Sequence, residues 1–139
     1  MRQALSMVML AVDDLARTRL FYEQGLKWEP WGSGQSRTSV KYLAGDVLVT
    51  MIDRHYVAEE GGLAEGSGLF GIVCVVNVAS QGEVDGALKE VTAAGGMVTN
   101  PARFRDGGLY SFYFTDPDRN PWEVVWNPKA PAESVLQAM

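Results

Sequence analysis

One order of elements is written twice along this chain, and that repeat constrains the fold more than any other feature. Residues 5–12, LSMVMLAV, are apolar and β-prone, and Asp13 and Asp14 behind them offer a helix N-cap. In the following LARTRLFYEQGL, Leu15, Phe21, Tyr22 and Leu26 fall at helical spacing around a small Thr18, with Gly25 as the expected left-handed stop. Three strands are then expected at 28–31, 37–43 and 47–53, separated by a Gly/Ser stretch at 32–36 and the turn Ala44-Gly45-Asp46. The second half follows the same plan. A strand over 69–78 leads into a capping box, Ser80 to Glu83, and a helix whose inner face is Val84, Ala87, Leu88, Val91 and Ala94. Gly95-Gly96 ends that helix, and strands follow at 97–104, 109–114 and 122–126. Two copies of roughly 65 residues are too few for a solenoid and predict an α+β fold of two βαβββ modules related by a pseudo-twofold. The modules run over 5–53 and 69–128, and together make a single domain. Residues 54–68, rich in Glu and Gly without periodicity, read as a flexible connector, and residues 129–139 as a C-terminal tail. Clefts form where two such curled sheets face each other.

Composition narrows the function classes. A chain of 139 residues buries about two thirds of its unfolded surface, enough for a proper core. A net charge of -5 argues against nucleic acid as a partner and is compatible with a cationic ligand. No apolar run approaches the length needed to span a membrane. The single Cys, Cys74, excludes an internal disulfide and fits a reducing compartment as a small core hydrophobe, so a cytoplasmic protein is expected. Phosphate-binding glycine motifs, a Ser-His-Asp set and a reactive Cys pair are all missing.

The paired modules, the opening LAVDDLARTRLFYEQGL and the closing FTDPDRNPWEVVWNP together resemble the vicinal oxygen chelate superfamily, which includes glyoxalase I, extradiol dioxygenases, fosfomycin resistance enzymes and bleomycin resistance proteins. The likeness covers residues 5–128. It implies eight strands curled around a cavity, in a homodimer, and it does not fix a reaction. In the metal-using members the ion is held by His, Glu or Gln on inner strands. Glu123 matches the last of these positions. The first-strand position falls at Met7, another near Thr50 and the opening strand of the second module near Gly71, and none of these is a usual ligand of a hard or borderline divalent ion. Where the family has Gly after Asp-Pro-Asp, this chain has Arg119, so the turn either avoids positive φ or tolerates a cost of about 1 kcal/mol.

A catalytic divalent ion needs about three protein ligands and an open position. This chain has one His, His55, next to Asp53 and near three Glu. Those two residues are either half of a metal site outside the family's pocket or a solvated pair in an acidic loop. The inherited metal site therefore reads as dismantled, with no cofactor expected and a divalent metal as the alternative. Glu123 shares one strand face with Val125 and Asn127, and Trp122, Val124 and Trp126 share the other. A carboxylate so placed serves a basic ligand, acts as a general acid or base, or accepts hydrogen bonds from Tyr, Thr or Arg neighbours. Met7, Met9 and Met51 suit an adaptable apolar pocket or simply fill gaps, and Trp31, at the end of a short strand, suits a stacking wall. The expected function is that of a metal-free glyoxalase/bleomycin resistance-like protein holding a small, partly apolar, cationic or drug-like molecule at Glu123, Met7, Met9, Trp31, Thr50 and Gly71. The alternatives are a metal-dependent lyase or dioxygenase with an atypical site and a metal-independent enzyme with Glu123 as base.

Overall fold

The computed structural model describes residues 3, 7–33, 35–61 and 72–129. The chain divides into two compact units, Met1–Ser67 and Gly68–Met139.

In the first unit, strands β1 (Val8–Val12), β2 (Ser39–Ala44) and β3 (Val47–Asp53) form a sheet in the order β1-β3-β2, with β1 parallel and β2 antiparallel to β3. The parallel pair requires a crossover, and helix α1 (Leu15–Arg19), continued by a π-helical turn Leu20–Gly25, supplies it. Asp14 caps α1 as the sequence predicts, accepting from the Arg17 N–H at 3.2 Å. The stop is different from the predicted one. The helix widens through Gly25, Leu26 stays right-handed, and the left-handed residue is Lys27, with φ of 63°. The wide turn buries both Phe21 and Tyr22, whose rings meet edge-on at 4.9 Å, and brings Tyr22 within 5.7 Å of Tyr42. Leu10, Val12, Val40 and Met51 complete this core, each buried apolar side chain contributing about 1.5–3 kcal/mol.

Residues 28–31, expected as a strand, contribute only one bridge, Pro30 to Tyr42. Pro30 has no N–H to give a ladder and Lys27 has already turned the chain, so among the described residues seven strands and one bridge stand where eight strands are predicted. Residues 54–61, expected as a connector without structure, form helix α2 (Arg54–Gly61), because Asp53 accepts from the Tyr56 N–H at 2.8 Å and caps it.

The second unit orders its strands β4 (Cys74–Val78), β7 (Pro121–Trp126), β6 (Tyr110–Thr115) and β5 (Met97–Phe104), with β4 parallel to β7. This repeats the first unit's pattern, the Pro30 bridge standing where β5 stands. Helix α3 (Gln81–Ala94) begins at the predicted capping box. Glu83 N–H donates to Ser80 Oγ at 3.1 Å while the Ala79 N–H donates to the Glu83 carboxylate at 2.6 Å. It ends at Gly95, with φ of 101°. Val84 and Val91 of α3 are buried on the sheet face of Phe112, Phe114 and Trp122, and Tyr110 Oη donates to Asp85 of the helix at 2.7 Å. Cys74 is half-buried, and burial together with nearby Asp116 pushes its thiol pKa up, which suits an inert packing role. Among the described residues no helix is long and apolar enough to cross a membrane.

Candidate functional site

The turn between β6 and β7 is the device that places Glu123. Asp116 is 3% exposed and gathers three donors onto its carboxylate: the N–H groups of Asp118 and Asn120 and the Asn120 side-chain amide, each at 2.9 Å. The chain closes behind it with Asp116 N–H to Asn120 O at 3.1 Å and Arg119 N–H to Asp116 O at 3.0 Å. Arg119 adopts φ of 67°, so of the two expectations for this turn the chain takes the left-handed one and tolerates its cost. The result is a hairpin in register from Thr115↔Pro121 to Tyr110↔Trp126.

That register sets out two faces. Phe112, Phe114, Trp122 and Val124 lie against α3. On the other face, Glu123 stands between Val75 of β4 and Tyr113 of β6. Tyr113 is the partner of Glu123 across the β6–β7 ladder; burial first, and then that carboxylate, pushes the phenol's pKa up, while Arg105 pulls the other way. Arg105 comes from the bend between β5 and β6. Its guanidinium lies 5.4 Å from the Tyr113 ring centroid, donates from Nε to Ser111 Oγ at 3.1 Å, and donates from Nη2 to the carbonyls of Pro101 and Ser111, both at 3.0 Å. The site on this sheet is thus a carboxylate, a phenol and a fixed guanidinium in one line. Glu123 is visible in the sequence, and Tyr and Arg are among the neighbour types expected for it. The specific partners Tyr113 and Arg105 are not visible there, because the bulges in the β5–β6 pairing decide which Arg crosses the sheet.

The first unit carries the equivalent row. In register, Met9, Thr50 and Lys41 occupy the places of Val75, Glu123 and Tyr113. Thr50 is 3% exposed and donates its hydroxyl to the Met7 sulfur at 3.4 Å, whereas Met7 and Met9 are exposed. Met7, Met9 and Thr50 therefore come together on one sheet face. Trp31 is 48% exposed, its backbone N–H donating to Lys41 O at 2.8 Å. Gly71 lies outside the described residues. Counting back from the two rows, the residue of the second unit that answers Met7 is Val73, which has no ligating atom. The Asp53 carboxylate caps α2, and His55 faces Glu59 across one helical turn at 3.7 Å, both largely exposed.

The sequence profile of the Glyoxalase/Bleomycin resistance protein/Dioxygenase superfamily matches residues 4–124. The chain belongs to that superfamily. No curated protein matches it at a significant level. Among solved structures, a glyoxalase-related enzyme from Fulvimarina pelagi is 26% identical, with a TM-score of 0.86 over 96% of each chain. A lactoylglutathione lyase from Agrobacterium tumefaciens is 19% identical, with a TM-score of 0.69 over 91% of this chain and 95% of that one. The fosfomycin resistance protein FosX from Mesorhizobium loti is 19% identical, with a TM-score of 0.65 over 91% and 94%. The last two show the fold alone.

Membership of the superfamily raises the question of a divalent ion, and the donor chemistry bears on it. The positions that match the family's ligands hold a thioether, a buried hydroxyl already given to that thioether, an aliphatic side chain and one carboxylate. This set does not fit an ion that asks for about three nitrogen, oxygen or thiolate ligands.

Proposed function

We propose that this protein is a metal-free small-molecule binder of the glyoxalase/bleomycin resistance type, holding a partly apolar ligand with a basic or hydrogen-bond-donating group against Glu123. The observation that carries this reading is the carboxylate itself. It stands in the sheet between Tyr113, whose phenol pKa its charge helps to raise, and an apolar neighbour, Val75, that is 54% exposed. A carboxylate has about four acceptor sites, so one phenol leaves capacity for a ligand's donor. Within the first unit, the exposed thioethers of Met7 and Met9 and the exposed indole of Trp31 suit an adaptable apolar surface, as the sequence leads one to expect. A cytoplasmic homodimer, acting on a small molecule and not on nucleic acid or membrane, belongs to the same proposal, and the net charge of -5 speaks against nucleic acid.

Base catalysis by Glu123 uses the same carboxylate, and one variant separates the two readings. A thermal-shift screen of small amines and aromatic amines in the presence of EDTA is expected to give saturable stabilisation that Glu123→Gln removes. Turnover of a hit that is lost in Glu123→Gln while its binding stays would favour catalysis; hits indifferent to the variant would remove Glu123 from the site.

A further inference from the structure

We infer that Arg105 is a second, anion-reading pole of this site, so that the ligand class is a small zwitterion: a donor at Glu123, an oxyanion at Arg105 and an apolar body between. The inference rests on the reading that the Glu123 face binds a ligand. Three observations support it. First, the guanidinium is immobilised without being neutralised. Its Nε and Nη2 are committed to Ser111 Oγ and to the carbonyls of Pro101 and Ser111, three neutral acceptors, and no carboxylate pairs with it among the described residues. Second, those bonds engage Nε and Nη2 and leave both Nη1 hydrogens without an acceptor among the described residues. A planar fork held on one side presents the other with little rotamer entropy left to lose. Third, Tyr113 joins the two poles. Arg105 lies over its ring at 5.4 Å and Glu123 is its partner across the β6–β7 ladder, so the positive and negative groups are kept one tyrosine apart instead of collapsing into an ion pair.

A purely structural Arg105, tying the bend at 105–111 to β6, would need the same three hydrogen bonds but would be indifferent to ligand charge. Charge selectivity therefore separates the two roles. The probes are four molecules with one aromatic body: phenylalanine as zwitterion, its methyl ester as cation, 3-phenylpropionate as anion and 3-phenylpropanol as neutral form, each followed by ligand-observed NMR with EDTA present. Wild type is expected to bind phenylalanine about tenfold or more tightly than the ester, and Arg105→Gln is expected to erase that advantage while leaving the ester's affinity unchanged. Arg105→Lys, which keeps the charge and loses the fork, is expected to retain part of it, and amide spectra check that each variant is folded. An ester bound in a Glu123-dependent way, with phenylalanine gaining nothing or gaining equally in wild type and Arg105→Gln, would overturn the second pole and leave the first. No contact by any of the four with wild type would overturn both.

Discussion

Replacing Asp116 by Ala tests whether the β6–β7 turn is held by its carboxylate. The variant removes one acceptor that serves three donors at 2.9 Å, in a residue only 3% exposed. A hydrogen bond to a charged acceptor is worth roughly 1.5–3 kcal/mol, and a buried donor left without a partner costs about 1–3 kcal/mol. Asn120 is half-exposed, so water recovers part of the loss there. The expected cost is about 3 kcal/mol, which lowers the melting temperature of a chain this size by roughly 10 °C. Asp116→Asn is the control. It keeps one carbonyl oxygen for the two backbone N–H groups and loses the bond to the Asn120 amide, for a cost of about 1 kcal/mol. Urea denaturation reads both as a shift in midpoint at constant slope. An Ala variant costing less than about 1 kcal/mol, or an Asn variant as damaging as Ala, would refute the view that the carboxylate's acceptors hold the turn. Because Tyr113 and Glu123 sit on the two strands that this turn joins, the Ala variant is also expected to weaken any ligand held there.

Two further predictions concern stability. Arg119→Gly relieves a left-handed residue at φ of 67° but adds freedom to the unfolded chain, for a net gain of about 0.5 kcal/mol in urea midpoint; a loss would mean that the Arg119 side chain contributes more than its backbone costs. Glu23 is pushed up by burial, but the hydrogen bonds from Arg19 at 2.6 Å and from Tyr42 at 2.9 Å outweigh that and leave its pKa lowered. A lowered carboxylate stabilises the fold above its unfolded pKa and loses that contribution as pH falls through the folded value. Glu23→Gln should thus cost stability at pH 7, by about 1 kcal/mol, and the gap from wild type should close below about pH 4; a gap independent of pH would contradict the ion pair's role.

Much of the fold is legible because each signal is local. The Ser80–Glu83 box, the Val84 to Val91 face and the Gly95 stop are written within one helix, and they appear as read. The strands at Met97–Phe104 and Pro121–Trp126 are bounded by turn residues and lie at or within one residue of the expected limits. Misreadings arise where a neighbour decides. Gly25 looks like a helix stop, but the turn widens where Phe21 and Tyr22 are both buried and Tyr22 packs against Tyr42, and the left-handed residue is Lys27. Residues 54–61 lack an apolar stripe, and one capping carboxylate, Asp53, is enough to start a helix there. In the site, Glu123 is legible from strand period and the Asp-Pro-Asp turn. Arg105 and Tyr113 are legible only as types, since a bulged pairing and a cation–π contact across strands leave no mark at fixed sequence spacing.

The claim that the site works without a metal is tested most directly by elemental analysis of the purified, untagged protein, with thermal stability followed as Ni, Zn, Mn or Fe(II) is added. The donor set of Met7, Thr50, Val73 and Glu123 leads us to expect metal far below one ion per chain and a melting temperature unmoved by all four ions. Stoichiometric metal, or a large saturable rise in melting temperature with any one of them, would contradict the account and return Glu123 to the role of metal ligand.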